Sequence, residues 1–175
     1  EENWDWAYAQ LSHQGRMHQD IMAFPSRNFY GGNLHILPEE IISRVKQQED
    51  IKIDLPAGID PSIQKLVRRR LLFFPTPIDR SSVTGKTNRP EAERIGDLIE
   101  HFKWLDQLNG QEWQADRIGI ITPYRAQIAQ IRQVLSHRGF APEAFTIDTV
   151  ERYQGGARDI ILISLCTNNL RQIEQ

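Results

Sequence analysis

Four short stretches hold residues whose types and spacing can do chemistry. Gln14-Gly15-Arg16-Met17-His18 sets a guanidinium beside a glycine, and its fork of donors matches a phosphate or a carboxylate. Taken alone, the same arginine is equally an ordinary surface ion pair. His18 has no second or third ligand at useful spacing, so no metal site is expected. Thr84-Gly85-Lys86-Thr87 copies the end of a phosphate-binding P-loop. That loop needs a glycine where Arg80 stands and a helix opening at the Lys-Thr pair, where Asn88-Arg89-Pro90 intervene, so it reads as a chance match. Thr122-Pro123-Tyr124-Arg125-Ala126-Gln127 offers neutral hydrogen-bonding groups and one charge at a helix start, where amides and dipole attract anions. The alternative is a plain helix entry with Tyr124 packed on a sheet. Asp148 to Asp159 carries Thr149 and Gln154, able to bond phosphate or sugar oxygens, and Gly155-Gly156, which permits close backbone approach. Its alternative is a simple glycine turn.

The elements that must position these stretches follow from periodicity. Residues 19–30 read as a short helix with Ile21 and Phe24 on its apolar face, ended by Gly31-Gly32. Residues 35–70, with Pro38, Pro56, Gly58, Pro61 and the basic Arg68-Arg69-Arg70, read as an irregular surface excursion with helical pieces. Leu71-Leu72-Phe73-Phe74 looks like a buried strand. Pro90-Glu91 opens a helix whose Ile95, Leu98, Ile99 and Phe102 fall on one face. Ile118–Thr122 is a strand, followed by a helix bearing Ile128, Ile131, Val134 and Leu135 and closed by Gly139. Phe145–Asp148 and Ile160–Leu165 are two further strands. Apolar β-branched strands alternating with amphipathic helices predict a mainly parallel sheet with helices on both faces, a three-layer α/β fold. Ligands of such sheets bind at the loops after the carboxyl ends of the strands, where the Thr122 and Thr149 stretches lie.

Composition narrows the class. The 175 residues carry 21 basic and 23 acidic side chains, a formal net charge of −2, which does not by itself point to nucleic acid. Five of the basic residues are lysines and the rest arginines. The one cysteine, Cys166, excludes an intrachain disulfide and paired-cysteine metal sites, and favours an intracellular, cytoplasmic setting. No apolar run approaches the ~20 residues needed to span a bilayer, so no membrane partner is expected.

In order along the chain, these stretches resemble the second RecA-like domain of superfamily 1 helicases, in the branch of the nonsense-mediated-decay and Okazaki-maturation enzymes. That family reads Q-Y-R-M-H-P and then I-x-x-F-x-S-x-x-F-Y-x-G-x-L. Here stand Gln14-Gly15-Arg16-Met17-His18-Gln19, then Ile21, Phe24, Ser26, Phe29-Tyr30, Gly32 and Leu34. N-x-x-E-A is matched by Asn88, Glu91 and Ala92, and T-P-Y-x-x-Q by Thr122, Pro123, Tyr124 and Gln127. D-T-V-x-x-x-Q-G-x-x-x-D is matched by Asp148-Thr149-Val150, Gln154-Gly155 and Asp159, and the strand after it ends in Ser164. Nearly the whole chain outside residues 35–70 is covered.

The resemblance implies a RecA-like P-loop NTPase fold over residues 1–175 as a single domain, cut from a larger helicase. ATP and magnesium would be held mainly by a first RecA-like domain of the same polypeptide, so the isolated piece should not hydrolyse ATP. It implies Arg16 as the charge that stabilises the transition state, with Gln14, Gln154 and Gly155 at the nucleotide and Thr122, Tyr124 and Thr149 on single-stranded DNA or RNA. The chain departs from the pattern at Gly15, where the family has an adenine-stacking tyrosine, at Ala157, where it has a ribose-bonding glutamate, and at Thr167, where it has an arginine. A non-catalytic nucleic-acid-binding or scaffolding domain of the same fold is the alternative.

Overall fold

The computed structural model describes residues 9–38, 41, 53–153 and 158–166. Tertiary contacts divide the chain into two units, Glu1–Phe73 and Phe74–Gln175.

In the first unit, strands β1 (His13–Gln14) and β2 (His35–Ile36) pair in parallel, His13 opposite His35 and Gln14 opposite Ile36. Helix α1 (Gln19–Phe29) connects them, the crossover that a parallel pair requires. His18 caps α1 by accepting the Asp20 N–H at its Nδ1, 3.2 Å away. Gly31 and Gly32 take φ of 57° and 83°, a left-handed turn that ends the helix, and the Gly32 N–H closes onto the Ser26 carbonyl at 2.9 Å. The helix forms where its pattern predicts, but Ile21 and Phe24 are exposed; the residue it buries is Ser26, whose hydroxyl donates to the Leu34 carbonyl. Helix α2 (Pro61–Arg68) is one of the helical pieces expected in 35–70, started by Asp60, whose carboxylate accepts the Ser62 N–H at 2.7 Å. Leu71–Phe74 differs from expectation. It joins no sheet, and Leu71 and Phe73 are 65% and 80% exposed. Pro75 and Pro77 remove two amides from the segment, and a short apolar run does not by itself supply a pairing edge.

The second unit is built on a three-stranded parallel sheet in the order β4-β3-β5: β4 (Thr146–Asp148), β3 (Ile118–Ile121) and β5 (Ile160–Ile163). Ile120 faces Ile147 on one side and Leu162 on the other. Because paired residues point to the same side, Ile118, Ile120, Ile147, Ile160 and Leu162 share one face. Helices α3 (Arg89–Leu108) and α4 (Arg125–His137) cover it with Ala92, Ile95, Ile99, Ile131, Val134 and Leu135. Parallel strands separated by helices are the architecture that the RecA-like reading requires. Arg138, just past α4, ties the two helices together by pairing with Glu93, Asp97 and Glu100 of α3. Gly96 makes room for it, since a Cβ there would lie 2.6 Å from the Arg138 Nε. Arg117 clamps the amino end of β3, bidentate on Asp106 and also on Asp159, each contact 3.1 Å.

Among the described residues, the ring of Tyr153 packs on the opposite face of this sheet. Tyr153 lies against Gly119 at the middle of β3, beside Ile161, so a Cβ at residue 119 would fall onto the tyrosine hydroxyl. Gly119→Ala is therefore an overpacking change expected to cost roughly 1–3 kcal/mol. Tyr153→Ala in the same molecule should recover part of that loss. Urea unfolding of both single variants and the double variant checks it, and strictly additive losses would show that ring and glycine do not touch.

Candidate functional site

Arg16 stands in the loop at the carboxyl end of β1, immediately before α1, where a parallel sheet presents its ligand-binding groups. Gln14 builds that loop with its side chain. Its Oε1 accepts the N–H groups of Arg16 (2.9 Å) and Met17 (2.6 Å), while Nε2 donates to the Met17 carbonyl at 2.9 Å. The Gln14 amide is thus spent on its own backbone, and the exposed group it displays is the Arg16 guanidinium. That guanidinium has no carboxylate partner among the described residues. Gly15 leaves space that the Leu37 side chain occupies: a Cβ on it would lie 2.6 Å from the Leu37 Cδ1. A larger residue at this position forces Leu37 aside.

In the second unit, Thr122, Tyr124 and Thr149 are brought together at the carboxyl ends of the adjacent strands β3 and β4. Their exposures differ. Thr122 is fully buried, with its hydroxyl 3.7 Å from the Cys166 Sγ. Tyr124 is half-buried and forms the first residue flanking α4. Thr149 is buried; its N–H donates to the Asp148 carboxylate at 2.8 Å, and its carbonyl accepts the Tyr153 N–H at 2.9 Å, one helical turn. The Glu151 carboxyl is lowered below its usual range by its own backbone N–H and by the Thr149 hydroxyl. Gln154 and Gly155 lie outside the described residues, as do Ala157 and Thr167.

A buried polar network underlies these loops, built from motif residues; Gln127, expected to offer a hydrogen bond to a ligand, is instead turned inward. Gln127, fully buried, accepts the Asn88 N–H at its Oε1 (2.8 Å) and donates through Nε2 to the Asn88 carbonyl (2.9 Å) and the Ser164 Oγ (3.0 Å). The Ser164 hydroxyl donates to the Glu91 Oε2 (2.6 Å), which also accepts the Cys166 N–H (3.0 Å). Asn88 in turn caps α3, its Oδ1 accepting the Glu91 N–H at 2.9 Å. Cys166 adopts φ 55°, an uncommon left-handed conformation for a side-chain-bearing residue, held in place by that carboxylate. Burial pushes the Cys166 thiol up. The signal in the sequence was spacing: a glutamine three residues into a helix, an Asn-x-x-Glu helix start and a serine ending a strand all fall at one end of one sheet.

Similarity to known proteins agrees with this arrangement. The model of the AAA domain family matches residues 1–174. The chain is 29% identical over 167 residues to the DNA polymerase alpha-associated DNA helicase A of Saccharomyces cerevisiae, covering 91% of this chain and 23% of that protein. It is 28% identical to the Regulator of nonsense transcripts 1 homolog of Drosophila melanogaster, over 93% of this chain and 13% of that protein. To Helicase sen1 of Schizosaccharomyces pombe it is 31% identical, over 88% of this chain and 8% of that protein. The chain belongs to the AAA domain family and is a superfamily 1 helicase domain of the nonsense-mediated-decay and Okazaki-maturation branch. It spans less than a quarter of the length of these relatives.

Among the described residues no group of three or more His, Cys, Asp or Glu side chains could hold a metal ion, and no helix is long and apolar enough to cross a membrane. The loop that imitates a P-loop has a different occupation. Asp79 accepts the Ser81 N–H and hydroxyl at one oxygen and the Arg89 N–H, at the start of α3, at the other (2.9 Å). The chain's own carboxylate therefore takes the helix-start amide that a phosphate would need. The Ser81 hydroxyl, followed by the Arg89 amide, holds the Asp79 carboxyl below its usual range. A depressed carboxyl contributes stability that is fully present above its unfolded value, about 3.9, and is lost as pH falls through the folded value. Asp79→Ala should accordingly lower the melting temperature at neutral pH, with the deficit closing as pH drops below about 4. A deficit independent of pH would contradict this role.

Proposed function

We propose that the chain is the second RecA-like motor domain of an ATP-dependent helicase. In this reading it binds single-stranded DNA or RNA and completes an ATP site in a cleft shared with a first RecA-like domain of the same polypeptide. The observation that carries the reading is the Arg16 loop: an exposed guanidinium without a carboxylate partner among the described residues, at the carboxyl end of a parallel strand and ahead of a helix start. When water attacks the terminal phosphoryl group, negative charge spreads over its oxygens, and a fixed guanidinium stabilises that state more than the ground state. Gln14 serves by fixing the loop. Magnesium, arriving with the nucleotide and held mainly by the first domain, would supply further charge neutralisation. Gln154 and Gly155 complete the nucleotide side by resemblance. Tyr124 and the turn at Thr149 face the strand, while Thr122, fully buried with its N–H on the Asp148 carbonyl, supports the loop from beneath.

One observation favours the non-catalytic alternative. At Gly15 the adenine-stacking ring of the family is missing, and the Leu37 side chain fills the space beside the glycine.

Two measurements on the complete protein separate the readings. Arg16→Ala should lower strand-stimulated ATP turnover by about 10³-fold or more while single-strand affinity stays within about threefold, as expected of a group acting in the transition state. Unchanged turnover would make Arg16 a surface arginine, and absence of turnover in the parent protein would favour the non-catalytic domain. Single-strand affinity should fall with salt at a log–log slope of about 0.7 per phosphate contact. A tight, salt-insensitive complex would contradict backbone tracking.

A further inference from the structure

We infer that Gln127 is a positioning residue for single-strand binding, acting through Tyr124 rather than by touching the strand itself. The inference rests on the strand-side role proposed above for Tyr124. Gln127 is fully buried, so no strand can reach its amide. Yet its three hydrogen bonds, of 2.8, 2.9 and 3.0 Å, join three separate segments: the start of α4, the cap of α3 and the residue following β5.

The direction of each bond is fixed. The Asn88 N–H can only donate, so the Gln127 oxygen must face it and the NH2 must face the Asn88 carbonyl and the Ser164 hydroxyl. Ser164, accepting from Gln127, must send its own proton to Glu91. No member can rotate without leaving a buried group unpaired.

Among the described residues Tyr124 has no such anchors of its own. It gives α4 no side-chain cap, and its carbonyl accepts from the first turn of that helix, from the N–H groups of Gln127 (3.0 Å) and Ile128 (3.3 Å). Pro123, before it, and Arg125, after it, are exposed. The place of the tyrosine ring is therefore set by where the first turn of α4 sits, and that turn is fastened to α3 and to the carboxyl end of β5 through one side chain.

The discriminating substitution is Gln127→Glu. It keeps volume and shape but turns a carboxylate oxygen toward the Asn88 carbonyl and the Ser164–Glu91 pair, which forces the turn to move. The experiment uses the complete protein, with fluorescent oligothymidylate and, in parallel, oligouridylate, in an affinity titration. Tyr124→Ala should weaken binding by about tenfold, the order expected for one aromatic contact with a base or backbone. Gln127→Glu should weaken it comparably, and the double variant no further than either alone, because both act on the same contact. Combined with Thr149→Ala, on a different loop, Gln127→Glu should be additive. A role confined to stability would lower the melting temperature and leave the affinity of the folded protein unchanged. Should Gln127→Glu not fold, Ser164→Ala, which removes one acceptor, decides: its smaller loss must also vanish in the Tyr124→Ala background. Full additivity with Tyr124→Ala, or wild-type affinity in a folded Gln127→Glu or Ser164→Ala protein, overturns the inference. If Tyr124→Ala itself binds normally, the strand-side role of Tyr124 fails, and the inference falls with it.

Discussion

The carboxyl end of the second unit depends on one buried amide. Three parallel strands bring three loops to one end, but parallel pairing only aligns strands; nothing in a ladder fixes how the chain leaves it. Gln127 supplies that information. Its single side chain bonds both backbone groups of Asn88 and the Ser164 hydroxyl, so helix α3, helix α4 and the segment after β5 leave the sheet in one mutual arrangement. Burying an amide without partners would cost about 1–3 kcal/mol. Its full satisfaction means any displaced arrangement meets that penalty, and this makes the geometry discrete rather than adjustable.

The same reasoning explains the carboxylate at the end of the chain of bonds. Glu91 lies in the first turn of α3, where an acid suits the helix dipole. There it accepts both the Ser164 hydroxyl and the Cys166 N–H. The left-handed turn at Cys166 is stabilised by a charge-assisted bond, so a cost in backbone conformation is offset by a group already placed for helix capping. The first unit reaches a similar end by a smaller device: Gln14 folds onto its own following residues and leaves the Arg16 guanidinium outward.

Much of this was legible in the sequence, for identifiable reasons. The core helices and strands of the second unit showed because Ile95, Leu98 and Ile99, or Ile118 and Ile120, repeat at helical or strand spacing and are in fact buried. The P-loop imitation could be dismissed from Arg80, whereas the three residues expected before the helix reduce to its cap, Asn88, since α3 opens at Arg89; the structure adds why the loop holds its shape, through Asp79. Leu71–Phe74 misled because an apolar run states only what avoids water, not which edge it pairs with. The apolar face of α1 misled likewise, since periodicity marks a face but not its burial. Asn88, Glu91, Gln127 and Ser164 were visible as a pattern, yet their mutual bonds were not. Hydrogen bonds between residues 37 and 75 positions apart are a property of topology, which spacing along the chain does not encode.

A near-neutral sum conceals where the charges of this domain sit. Arg138 is taken up by three acids of α3, and Arg117 by Asp106 and Asp159, so both cations are spent on acids of the fold itself. Net charge therefore says little about the loops. What matters is which cations remain outside such pairs and where the strands deliver them. Arg16 is one, raised at a carboxyl end ahead of a helix start. In the motor reading proposed above, a fixed guanidinium there would meet a phosphoryl oxygen at short range, where salt screens little and the balance of the remaining charges is nearly irrelevant. Two loop systems are thus each fastened by a glutamine, Gln14 in the first unit and Gln127 in the second.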